Sequence, residues 1–172
     1  MNKELAEMRE MELKLLVIEF NKATQLDRSF SKTKLTNKNK KLFREKLLES
    51  CLELMNKIDN ETLTNEMIRG KIRKLKNIDK NISFGQAQKV INVSLKQYCF
   101  ITKAKEKILC ELDCPLDSTT MKGYGISNNN MKNVCEKNYL EYQKKFEDEF
   151  GMRILKDREY GIMRMGNFFS KD

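Results

Sequence analysis

Residues 83–117 read SFGQAQKVINVSLKQYCFITKAKEKILCELDCPLD, and this stretch decides the fold. Ser83 and Gln86 stand in the S-x-x-Q spacing in which each side chain satisfies an orphan backbone donor at a helix start. A helix is therefore expected from about 83 to 102. Phe84, Ala87, Ile91, Leu95 and Tyr98 recur at helical spacing, while Val90, Val93, Phe100 and Ile101 widen the apolar surface. Such a helix belongs in the middle of a domain. Its polar exceptions, Lys89, Asn92, Lys96 and Lys103, fall within roughly 60° of one another on the helical wheel. A basic stripe is thus expected along a mostly buried helix.

Working outward, four further helical patterns flank this one. Residues 3–25 carry Leu5, Met8, Leu15 and Ile18 as the side expected to be buried. Thr36 is placed to cap a helix over about 37–57 with Phe43, Leu47, Cys51, Leu54 and Ile58 inward. A third pattern, about 64–77, directs Met67, Ile68, Ile72 and Leu75 inward and Arg69, Lys71, Arg73, Lys74 and Lys76 outward. The last, about 128–150, spaces Met131, Cys135, Tyr139, Tyr142, Phe146 and Phe150 as a core stripe closed by Gly151. Pro115 ends any preceding helix, and Asp117 or Ser118 can cap a short one ending by Gly123. The expectation is an all-α single domain over 1–172, a bundle of five or six helices, with room for a small hairpin in the tail from Met152.

The chain has 172 residues, enough to bury roughly two-thirds of its unfolded surface without staples. Its formal charge is +9, which favours an anionic partner, nucleic acid first. The charge is concentrated. Eight basic residues lie between Arg28 and Lys46, among them Lys38, Lys40, Lys41 and Arg44, and a second basic face carries Arg69, Arg73 and Lys74. With Lys96 on the central helix, these are the candidate contacts to a phosphate backbone. Aromatics for base stacking are few in these segments, Phe30 and Phe43 only.

The absence of histidine removes the Ser-His-Asp triad, the Cys-His pair and histidine metal ligands. Five cysteines in helical patterns fit reduced thiols better than a disulfide framework. Cys110 and Cys114 have no second ligand pair at zinc spacing, so neither a metal nor a cofactor is expected. The opening MNKELAEMRE has acids where a signal peptide needs basic then apolar residues, and no apolar run approaches a membrane span. A cytoplasmic setting without a membrane partner follows as the expectation.

The segments FGQAQKVINVSLKQY and CPLDS resemble a pattern of poorly characterised bacterial helical proteins, G-x-A-Q-K-x-x-N-x-x-L-K followed by C-P-x-D. More distantly, a lysine near a helix start followed by a proline turn and an aspartate is similar to helix-hairpin-helix DNA glycosylases. This resemblance implies Lys89 as the nucleophile at the sugar carbon and Asp117 as the assisting carboxylate, and it favours DNA over RNA. NISFG stands where that superfamily has its L-P-G-x-G hairpin. Lys96, two turns from Lys89, is placed to tune such a lysine. Gln86, Gln88 and Asn92 are then candidates to orient an extruded base, with Tyr98 or Phe100 as pocket walls.

A different class of function fits the same chain: a non-enzymatic interaction protein, such as a small inhibitor or adaptor from a phage or mobile element. Ten methionines suit an adaptable protein-binding surface.

Overall fold

Thr36 and Thr64 each accept a backbone N–H with their hydroxyls, from Asn39 and Met67, and so start two of the long helices. The computed structural model describes residues 3–23, 33–123, 125–126 and 130–156. Among them every regular element is helical, so the fold is all-α. The helices are α1 (Lys3–Ala23), α2 (Asn37–Asp59), α3 (Asn65–Lys76), α4 (Phe84–Thr102), α5 (Glu106–Leu109), α6 (Ser118–Gly123) and α7 (Glu136–Phe150), with a 3-10 turn at Met131–Asn133. Five are long and two are single short segments. The small hairpin expected in the tail falls mostly outside the described residues, as do Arg28, Phe30 and Lys32.

α4 is the centre. It packs on α1, α2 and α3, and twelve of its residues are buried. Its capping box forms as the spacing requires: Gln86 N–H donates to Ser83 Oγ at 3.1 Å, and Ser83 N–H donates to Gln86 Oε1 at 3.0 Å. The short α2–α3 connection sets these helices antiparallel, and Asn39 Nδ2 donates to Asp79 Oδ2 at 2.5 Å, tying the start of α2 to the turn after α3. At the other end, Tyr98 Oη donates to Asp59 Oδ1 at 2.8 Å and Arg9 pairs with the same carboxylate at 2.7 Å.

Two expected faces are rearranged. α1 buries Leu13 and Val17, whereas Met8, Met11, Leu15 and Ile18 are 47% to 65% exposed. This helix carries apolar residues on two sides, so periodicity alone defines two stripes, and packing on α2 and α4 takes the one through Leu13 and Val17. α7 begins at Glu136 rather than near Asn128, with Val134 and Cys135 extended before it. The cause lies at Gly85. A Cβ there would sit 1.9 Å from Met131 O, and Gly85 N–H donates to Val134 O at 3.2 Å. The chain crosses α4 at this glycine as a 3-10 turn and extended residues rather than as α-helix. As a result Tyr139, Gln143 and Phe146 face the core, Cys135 is exposed, and Met131, Tyr142 and Phe150 are half-buried. In α3, Met67 is also exposed, leaving Ile68, Ile72 and Leu75 inward.

Candidate nucleic-acid interface

Lys89 and Asp117 converge. Pro115 and the buried segment 112–116 bring the start of α6 back to the first turns of α4, where Lys89 Nζ lies 3.5 Å from Asp117 Oδ2. Both side chains are partly exposed, 23% and 30%. The other carboxylate oxygen is committed to the α6 cap: Thr120 N–H and its hydroxyl donate to Asp117 Oδ1 at 2.9 and 3.2 Å. Asp117 is therefore both a helix cap and the partner of Lys89.

The residues around this pair are internal. Gln88 is fully buried and spends its amide on the returning segment, donating to Leu116 O at 2.5 Å and accepting from Leu116 N–H at 3.1 Å. Asn92 is buried beside it, donating to Gln88 Oε1 at 3.2 Å and to Tyr139 Oη at 2.8 Å. Gln86 is buried in the capping box and reaches Thr33 Oγ1 at 3.3 Å. Gln88 and Asn92 hold protein groups rather than face an open pocket, whereas Gln86, bonded within the capping box, lines the cleft at the α3–α4 turn. Of the expected walls, Tyr98 is core and Phe100 is half exposed. Asn92 thus leaves the basic stripe of α4, and Lys96 is partly buried two turns beyond Lys89.

A second buried network accounts for Arg69. Asp113 has no exposed side-chain surface, yet it meets Arg69 Nε at 3.1 Å and Arg153 Nε at 2.8 Å. Tyr139 Oη and Asn65 Nδ2 donate to it at 2.8 and 2.9 Å. Two guanidiniums and two neutral donors make a desolvated carboxylate tolerable. Burial, followed by the Asp113 charge, holds the Tyr139 phenol well above its ordinary pKa. Arg69 is therefore a structural partner, not an outward phosphate contact. Arg73 is likewise engaged, with Glu66 and Glu136 each at 2.6 Å, although it remains 40% exposed.

The remaining basic residues gather at one end of the bundle. The Asn39–Asp79 bond, together with an Asn81 Nδ2 to Lys34 O bond of 3.3 Å, joins the start of α2 to the turn after α3. Lys38, Lys41 and Arg44 of α2, Lys74 of α3 and Lys80 of the turn are exposed there, and Lys40 is partly exposed. Lys41 makes only a loose pair with Glu45 at 3.9 Å. No acid occupies the first turn of α2, where the helix macrodipole favours one. Three lysines near that helix start work against the dipole, which is a cost to stability.

Beside this end a cleft of about 660 Å³ opens between the α3–α4 turn and residues 132–136. Sequence reasoning set Lys132 within a helix over about 128–150, whereas the 3-10 turn at Met131–Asn133 places it on the rim of this cleft. Asp113 was missed. Its one signal is an acid set among the apolar residues of LDCPL. Among the described residues no group of three acidic or cysteine side chains could hold a metal ion, and no helix is long and apolar enough to cross a membrane.

No family model matches the chain, and no curated protein or solved structure is significantly similar to it.

Proposed function

We propose that this is a cytoplasmic nucleic-acid-binding protein that contacts the phosphate backbone with the basic end of the bundle, DNA in preference to RNA. The observation that carries the reading is the union of two basic segments, 34–44 and 73–80, by the 2.5 Å Asn39–Asp79 bond. Separately each segment is an ordinary solvated helix face. Together they place lysines from two helices and a turn at one end of the bundle, and Lys38, Lys40 and Lys41 sit where the helix dipole disfavours them. The contacts are to phosphate, so binding is expected to be sequence-tolerant and steeply dependent on salt. Fluorescence anisotropy with random-sequence duplex DNA, and with duplex RNA of the same length, tests it.

A sharper second reading rests on the 3.5 Å Lys89–Asp117 contact. A lysine and an aspartate meeting at a partly exposed helix start match the pair that the resemblance to helix-hairpin-helix DNA glycosylases implies. Borohydride trapping on duplex DNA with an abasic site reads this chemistry directly. A covalent adduct that disappears in Lys89→Ala supports it, and equal trapping by both proteins removes Lys89 from the role.

The exposed stripe Met8–Met11–Leu15–Ile18 on α1 favours the non-enzymatic alternative, a helical adaptor or inhibitor with a protein partner. Absence of DNA and RNA binding at low salt makes that alternative the leading one.

A further inference from the structure

We propose that the cleft at the α3–α4 turn receives a nucleotide bearing a terminal phosphate, either the phosphorylated end of a nucleic-acid strand or a free nucleoside monophosphate. The inference rests on the nucleic-acid reading and names the part of the ligand that this cleft takes. At about 660 Å³ the cleft is of the size that encloses a small organic ligand. Its lining has two characters. Ile82, Phe84 and Val134 are buried residues that supply an apolar floor, and the Phe84 ring is fixed against Tyr139 at 5.2 Å between centroids. Arg73, Lys76, Lys80 and Lys132 supply a cationic rim opposed by Glu136 alone among the acids of the lining.

That combination suits a nucleoside phosphate better than either half of it. An apolar floor offers nothing to inorganic phosphate, and a cationic rim offers nothing to an uncharged nucleoside. Arg73 already pairs with Glu66 and Glu136, and the three lysines of the rim, Lys76, Lys80 and Lys132, suit a phosphomonoester, which carries close to two negative charges at neutral pH, above the single charge of a backbone diester. The walls are preformed. The capping box fixes Ser83 and Gln86 on one side, and the Gly85 N–H to Val134 O bond of 3.2 Å fixes the other. Binding there orders little additional chain.

Cys135 gives the cleft its own reporter. It is exposed and lines the cleft, Cys110 is exposed outside the lining, and the other three thiols are buried. The experiment is the rate of N-ethylmaleimide labelling of Cys135 and Cys110 in the full chain, followed by mass spectrometry, with AMP, adenosine or inorganic phosphate present. AMP at ten times its dissociation constant is expected to slow Cys135 labelling about tenfold and leave Cys110 unchanged. Adenosine leaves both rates unchanged, and Lys80→Glu with Lys132→Glu abolishes the protection. Oligonucleotides with a 5′-phosphate or a 5′-hydroxyl then separate the two sources, since protection by the phosphorylated strand assigns a strand end and protection by AMP alone assigns a free nucleotide. Unchanged Cys135 labelling with AMP up to about 10 mM, a range that already admits very weak binding, overturns the proposal. So does equal protection by adenosine. If duplex DNA still binds in a salt-dependent manner while Cys135 is unprotected, the cleft assignment fails and the broader reading stands.

Discussion

Asp117 divides its two oxygens between Thr120 and Lys89, capping α6 with Oδ1 and meeting the Lys89 ammonium with Oδ2 at 3.5 Å. The cap and the ion pair are separable by substitution. Asp117→Ala loses both and is expected to cost about 1 kcal/mol or somewhat more. Asp117→Asn keeps a good capping side chain and loses only the ion pair, so it should match Lys89→Ala, each costing less than about 1 kcal/mol because the pair is partly exposed. Urea denaturation of the three variants checks this. A cost for Asp117→Asn equal to that of Asp117→Ala contradicts the division.

Gly85 offers a prediction whose sign depends on the crossing chain. In a helix considered alone, Gly→Ala stabilises by about 1 kcal/mol. Here the new methyl meets Met131 O at 1.9 Å and Val134 Cβ at 3.0 Å. Gly85→Ala is therefore expected to destabilise by about 1–3 kcal/mol, as overpacking does. Denaturant midpoints measure it, and a more stable variant shows that residues 131–134 do not cross α4 at this point.

The Asp113 network should fail sharply when its charge is removed. Asp113→Asn takes the carboxylate from between Arg69 and the buried Arg153, which keeps only its pair with Glu147 at the surface, and a cost of about 3 kcal/mol is expected. Tyr139→Phe removes one donor to Asp113 and the acceptor of Asn92, costing about 1–3 kcal/mol. Thermal melts rank the two. A milder effect for Asp113→Asn than for Tyr139→Phe contradicts the assignment of Asp113 as the centre of the network.

Alkaline pH should unfold the protein through three groups. Burial pushes the Cys51 thiol up to about 12, burial and then Asp59 push Cys99 up to about 12, and burial and then Asp59 push the Tyr98 phenol up to about 12. Each is neutral when protonated, and each folded pKa lies above its unfolded value of about 8.5 for a thiol or about 10 for a phenol. Their stability contribution is therefore fully present below about pH 8.5 and is lost as pH rises toward 12. Cys51, wholly buried, accounts for at most about 1.4 kcal/mol per pH unit in that window. Melting temperatures from pH 8 upward should fall, with a shallower fall in Cys51→Ala. A melting temperature constant to about pH 11 contradicts the burial of these groups.

The fold was legible where a signal is local. The Ser83–Gln86 capping box and the Thr36 cap are readable because both partners lie within three positions, and the start of the central helix follows from the first of them. The inward face of α2 and the main stripe of α4 followed from period alone, whereas Phe100 and Ile101 at the end of α4 are exposed. The buried face of α1 did not, since a helix with apolar residues on two sides defines more than one stripe and only its neighbours choose between them. The candidate site was legible in one pair and misread in its surroundings. Lys89 and Asp117 meet because Pro115 turns the chain, but Gln88 and Asn92 read as polar exceptions on a helix until Leu116 and Tyr139 are seen beside them. Arg69 looked like one more outward cation, and nothing near it in sequence announces Asp113.

The salt dependence of duplex binding tests the central claim most directly. If Lys38, Lys40, Lys41 and Lys74 each neutralise one phosphate, the slope of log affinity against log salt is about −3.6 (0.9 × 4), and raising salt from about 50 to 200 mM lowers affinity roughly a hundredfold. Lys38→Glu with Lys41→Glu should make the slope shallower by about 2 while leaving the melting temperature at or above that of the unsubstituted protein, since both changes place acids near the start of α2. A protein that binds duplex DNA and RNA no better at 50 mM salt than at 200 mM, or not at all, contradicts the account.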